Sequence, residues 1–217
     1  MTTSEEWSIE FDLLYNNISS NQAPGLTEYE KSVFLTQAQE ALILDLYKGV
    51  TGDSFEATEE VTRYLSSLVR TQEFNIPNAL NSFTGNIKEY RVDITDVSDL
   101  WFLTFQSGFI NYKDNPRDVV VVPTKQDLLF KELNNPFKGP NNNRVLSISE
   151  DIYITLYSKY PMISYYIKYL KRPNPIVLEG SDMTINGESE FNVEIPEILH
   201  SQVLLRAVQL AKAVWQS

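Results

Sequence analysis

The last segment of the chain, IPEILHSQVLLRAVQLAKAVWQS, restricts the fold more than any other. Leu199, Val203, Leu204, Ala207, Val208, Leu210, Ala211, Val214 and Trp215 return at helical spacing and make a wide apolar stripe. Pro196 suits the first turn, and Glu197 complements the positive end of the helix dipole. So wide a stripe needs helical partners to bury it. The sequence offers them at the other end. Trp7, Phe11, Leu14, Tyr15 and Ile18 mark a first amphipathic helix near residues 4–20, which Pro24 and Gly25 break. TEYE then reads as a capping box, with Thr27 capping and Glu30 reaching back. Val33, Phe34, Ala38, Ala41, Leu42 and Leu46 follow as the expected buried face of a second helix. A second box, with Asp53 as cap and Glu56 at the third position, opens a third helix carrying Ala57, Val61, Tyr64, Leu65 and Leu68.

The texture changes after residue 70. Residues 72–86, with Pro77, Gly85 and several asparagines, read as a connection. IKEYRVDIT, DLWFLTFQSGFI, RDVVVV, RVLSIS, DIYITLYS and ISYYIKYL are rich in aromatic and β-branched residues and read as strands. PTKQDLLFKEL reads as a short helix with Thr124 as its cap. The expected fold is α+β, a helical bundle of three N-terminal helices plus the long C-terminal helix, with a mostly β insertion. Its expected divisions are 1–86 for the first part of the helical core, 87–195 for the insertion with one short helix, and 196–217 for the closing helix.

Composition removes several functions. Cysteine is absent, so thiolate zinc sites, iron–sulfur clusters, disulfides and thiol nucleophiles are excluded. A net charge of -11 does not suit a dedicated duplex binder, which needs a broad positive face. MTTSEEWSIEF lacks the basic region and apolar run of a signal peptide. No stretch approaches the roughly 18 apolar residues of a membrane span.

Catalytic signals are weak. His200 is the one histidine, and it adjoins the terminal stripe as a capping or packing residue. Glu197 remains open as its partner in a carboxylate/His enzyme, but no nucleophile is announced. Asp93, Asp96 and Asp99 share a step of three, which suits a solvated turn better than a metal site and lacks the closing glutamate of a calcium loop. PFKGPNNNR lacks the spaced glycines and the serine or threonine of a phosphate loop. No catalytic, cofactor or metal residue is assigned, and no cofactor is expected.

Two stretches suggest contact instead. In NNPFKGPNNN, Phe137 stands between prolines beside Lys138. It is either a plug for a partner's pocket or an anchor that folds the loop onto its own sheet. In YYIKYLKRPNP, alternation turns the basic residues Lys168, Lys171 and Arg172 outward, either as a solvated face or toward an acidic neighbour or phosphate backbone. Pro173 and Pro175 remove two backbone donors and stiffen the segment. Leu204, Val208 and Trp215 complete the candidate interface set, as buried positions in the bundle or against a neighbour.

Four phrases carry a family resemblance: FDLLYNNISSNQAPGLTEYEKSVFLTQAQE, VPTKQDLLFKELNNPFKGP, YYIKYLKRPNPIVLE and IPEILHSQVLLRAVQLAKAVW. They resemble virion proteins of crAss-like tailed bacteriophages, and those proteins are similar to head-to-tail connector rings. The resemblance implies a structural role without catalytic residues. It implies a homo-oligomeric ring of twelve subunits at the head-tail junction, made in the bacterial host cytoplasm. Its implied partners are the portal protein and neighbouring neck or tail proteins. Genome DNA would pass through the channel without sequence-specific binding, and no membrane is involved. A tail-completion, tail-tube or minor capsid component is the alternative.

Overall fold

From Val69 to Lys171 the backbone is built mainly of strands, because aromatic and β-branched residues suit a pleated, half-buried surface. The computed structural model describes residues 3–18, 25–49, 55–76, 79, 81–180, 184–185, 187–188 and 190–215. It divides into two compact units, one of residues 69–171 and one of residues 1–68 with 172–217.

The first of these units is one eight-stranded sheet. Its strands are β1 (Val69–Asn75), β2 (Asn81–Thr84), β3 (Ile87–Asp93), β4 (Leu100–Tyr112), β5 (Asn115–Pro123), β6 (Arg144–Ser149), β7 (Tyr153–Ser158) and β8 (Met162–Lys171). They lie in the order β1-β8-β4-β5-β6-β7-β3-β2. Every neighbouring pair is antiparallel except β5 and β6, which run parallel. Parallel neighbours need a crossover between them. Residues 124–143 supply it, through a one-turn helix at Leu129–Leu133 and the asparagine- and proline-rich loop behind it.

The sheet curls. Tyr90 of β3 and Met162 of β8 are not on neighbouring strands, yet the Met162 amide donates to the Tyr90 hydroxyl at 3.2 Å. Ile110, Val119, Val121, Val145, Ile154, Leu156, Tyr165 and Ile167 join these two residues in one apolar core. Inside it, the Gln106 side-chain oxygen accepts from Ser147 Oγ at 2.9 Å and from the Tyr165 hydroxyl at 2.8 Å. Burial pushes the Tyr165 phenol well above its ordinary pKa. At Gly108 a Cβ would stand 2.9 Å from the Ser164 carbonyl, so a glycine lets β4 and β8 approach there. A smaller cluster, Leu129, Leu133, Leu146, Ile148 and Tyr157, seats the one-turn helix.

The second unit holds α1 (Ser4–Ile18), α2 (Glu28–Tyr47), α3 (Phe55–Leu65) and, after the one-turn helix taken as α4, α5 (His200–Trp215). Trp7, Phe11 and Tyr15 of α1 are buried, as are Leu35, Ala38, Leu42, Ile43 and Leu46 of α2 and Val203, Leu204, Ala207, Val208 and Ala211 of α5. The expected Thr27–Glu30 capping box is present. The second box, at Asp53, lies outside the described residues.

The expectation of a helical bundle carrying a β insertion is overturned. The strands form one eight-stranded sheet with its own core, and the helices do not pack as a bundle of four. Residues 172–178 run extended along α2 and occupy a face that another helix would need. Ser32 Oγ accepts the Leu178 amide at 2.9 Å, and Thr36 Oγ1 accepts the Ile176 amide at 3.1 Å. Gln39 Nε2 donates to the Asn174 carbonyl at 2.9 Å. One helical turn rises about 5.4 Å and two extended residues span about 6.6 Å, so the two repeats stay in step for three bonds. Pro173 and Pro175 fall between the bonded residues, where their missing amides cost nothing. Two further expectations fail locally. Residues 72–86 hold most of β1 and all of β2, and the Thr124 hydroxyl bonds the Glu132 carboxylate instead of capping a helix.

Candidate assembly surface

The loop after the one-turn helix is held from below and bare on top. Asn135 Oδ1 accepts the Phe137 amide at 2.9 Å and the Lys138 amide at 3.2 Å, an Asx turn that fixes the backbone. The Gly139 amide donates to the Asn135 carbonyl at 2.8 Å. A Cβ at Gly139 would lie 2.8 Å from that same oxygen and 3.0 Å from the Leu133 carbonyl, so the turn has no room for a larger residue. Arg144 Nη1 donates to the Phe137 carbonyl at 3.1 Å and ties the loop to β6. Gly139 and Pro140 are buried beneath. Phe137 itself is 86% exposed. It does not fold onto its own sheet, so of the two roles the sequence left open the local anchor is excluded. An exposed aromatic side chain on a backbone ordered in advance is a form that interface anchors take, because the cost of ordering the loop is already met before docking. Lys138 beside it is exposed.

The remaining candidates separate. Lys168 of β8 is exposed, facing Thr71 of β1 and Phe105 of β4 in the register. Lys171 does not point outward as expected, because counting by two from buried Ile167 and Tyr169 puts it on their face and opposite Lys168. It is 9% exposed, and the β4–β8 pairing is irregular beside it, between Leu100 and Phe102. Arg172 is exposed and meets Glu40 of its own chain, Nη2 to Oε1 at 2.8 Å. Leu204 and Val208, at 2% and 1% exposure, serve the core of the helical unit. Trp215 ends α5, and its side chain lies outside the described residues.

The residues weighed for chemistry are committed elsewhere. The His200 ring stands edge-on to Trp7 at 5.0 Å, with Nε2 3.2 Å from the Ile195 carbonyl. Asp93 accepts from the Thr95 amide and hydroxyl at 2.8 and 2.6 Å, which holds its carboxyl below the usual range. Asp99 accepts from the Tyr169 hydroxyl at 3.0 Å. Among the described residues no three His, Asp or Glu side chains are grouped to hold a metal ion.

Two features escaped the sequence reading. An apolar groove of about 510 Å³ opens in the helical unit, where Val33 and Phe34, expected in the core, are only half-buried. Charge is also unevenly divided. Residues 69–171 hold 12 Lys and Arg against 11 Asp and Glu, while residues 1–68 and 172–217 hold 6 against 18. The division was countable from sequence, but only once the boundaries at Leu68 and Arg172 are known.

The sequence matches the family described as phage tail ring protein 3/4 over residues 1–217. It is similar to Ring protein 3 of Bacteroides phage crAss001, with 39% identity over 225 residues covering 96% of this chain and 94% of that one. Ring protein 4/5 of the same phage is 32% identical over 227 residues, covering 97% of this chain and 92% of its own length. The crAss-like resemblance read from the four sequence phrases is borne out.

Proposed function

Because this chain belongs to the phage tail ring protein 3/4 family, we propose that it forms a closed ring in the head-to-tail connector of its phage, beneath the portal. The family is one of structural ring proteins, and the match along the whole of residues 1–217 is the observation that carries the reading. The ring extends the DNA channel below the portal and gives the tail components a platform. Twelve copies are assigned by likeness to head-to-tail connectors. An acidic chain of net charge -11 suits passage of the genome, because like charge keeps phosphates from sticking to the wall.

Symmetry-resolved imaging of the particle neck tests this. The expected result is a closed twelvefold ring of this chain next to the portal. A ring within the tail proper, a different copy number, or a monomeric protein in the particle overturns the respective part of the reading.

A further inference from the structure

We propose that the ring closes when the Phe137 loop of one copy seats in the apolar groove of the helical unit of the next copy. The inference deepens the ring reading and rests on it. Identical subunits in a cyclic ring meet head to tail through two different patches, and each patch must complement the other. Among the described residues Phe137 is the most exposed large apolar side chain, and the helical unit has an apolar hollow of about 510 Å³. Tyr15, Leu26, Tyr29, Val33, Phe34 and Val214 line the hollow. An aromatic ring in it would remove apolar surface of α1, α2 and α5 from water.

Charge selects a second copy as the occupant. Lys138 adjoins Phe137, and Glu30 is the one charged residue among the described residues that line the groove. The Thr27 backbone and side-chain hydrogen bonds hold Glu30 below the usual carboxylate range, so it is ionised at neutral pH. The two units also differ in net charge. The unit bearing the Phe137 loop has an excess of one positive charge, from 12 basic and 11 acidic residues, and the unit bearing the groove has an excess of twelve negative charges, from 6 and 18. The near-neutral unit can meet the acidic one without the repulsion that two acidic units placed together would suffer. The Asx turn, the Gly139 contact and Arg144 hold the loop ready, so association spends little free energy on ordering it.

The test uses particles grown with variant chains. A photoreactive benzoylphenylalanine at Phe137 keeps an aromatic group on the loop. Its adduct is expected on residues 26–34 or 211–214 of another copy. An adduct on a different surface, or on the portal or another tail protein, overturns the proposal. The chain has no cysteine, so a Phe137→Cys, Val33→Cys double variant should give a ladder of covalent oligomers that neither single variant gives. Phe137→Ala replaces an exposed side chain and should leave the fold intact, while weakening subunit association about tenfold to a hundredfold. Rings that form in the particle without the ladder, or as readily with Phe137→Ala, defeat the contact and leave the ring reading standing. A wild-type particle without a ring of this chain defeats the ring reading itself.

Discussion

The Thr36 hydroxyl of α2 accepts the buried amide of Ile176 at 3.1 Å, across 140 residues of chain. That bond is the middle of the three that hold the extended segment on the helix. Valine has nearly the same shape as threonine and no acceptor. Thr36→Val should therefore leave the packing of Ile176, Val177 and Leu178 in place and strand one amide. The expected loss is about 1–3 kcal/mol, the cost of a buried donor without a partner. Thr36→Ser should keep most of the stability. Urea denaturation of the three proteins makes the comparison, and equal midpoints for Thr36→Val and wild type would contradict it.

Leu204→Asp and Val208→Asp separate folding from docking. Both residues are buried inside the helical unit, so each change places an unpaired charge in an apolar core. Both variants should lose the cooperative melting transition of the isolated subunit. Lys171→Glu belongs with them, because Lys171 is buried at the end of β8. Arg172→Glu sets two carboxylates together at Glu40 on the surface and should cost no more than about 1 kcal/mol. A folded, soluble Leu204→Asp protein with normal melting would mean that this stripe is free to meet a partner.

Sequence made the terminal helix legible because a single period governs it. Most apolar residues from Leu199 to Ala211 lie on one stripe and are buried, with Leu205, on the opposite side, left exposed. The Thr27–Glu30 box was legible because its two bonds are local. The sheet was harder. β1 reads VRTQEFN, and most of its side chains are exposed, so no alternation announces it. The bundle expectation failed on α2, where Ser32, Thr36 and Gln39 form a buried polar row. Such a row reads as solvent-facing until its backbone partner, 135 to 146 residues away, is known. The setting of Phe137 between prolines marked it in the sequence, but its exposure could not be read there. The groove was not legible, because Val33 and Phe34 look like core at helical spacing and nothing local marks them as half-open.

Alkaline pH should act on the sheet unit through Tyr169. Burial, with the hydrogen bond to Asp99 and its negative charge, pushes this phenol up to about 12 from an ordinary value of 10.0. Between those values the folded state keeps a proton that the unfolded state has lost, so stability falls as pH rises. The contribution is fully present below about 10 and is gone above about 12. Tyr169→Phe removes that titration. The gap in denaturation midpoint between wild type and variant should narrow across this interval. A gap that stays constant to the alkaline end would refute the coupling.

Lys31 gives the sharpest test of how the helical unit tolerates charge. Its ammonium is buried, 2.7 Å from Asp12 Oδ2, 3.0 Å from Glu28 Oε1 and 3.0 Å from Ser8 Oγ. Burial opposes its charge, but the bonds and charges of Asp12 and Glu28 outweigh that, and the pKa stands above the ordinary lysine value. The carboxylates are partly in water and the ammonium is not. Removing one side of the cluster is therefore unlike removing the other. Asp12→Asn with Glu28→Gln leaves a buried cation without a counter-charge, at an expected cost of about 3–5 kcal/mol. Lys31→Met keeps the apolar stem and leaves carboxylates that water can reach, so its cost should be smaller, about 1 kcal/mol. Thermal melting of the two variants at neutral pH decides between them. If Lys31→Met is the more damaging, the ammonium does not depend on these two carboxylates and the account of the cluster fails.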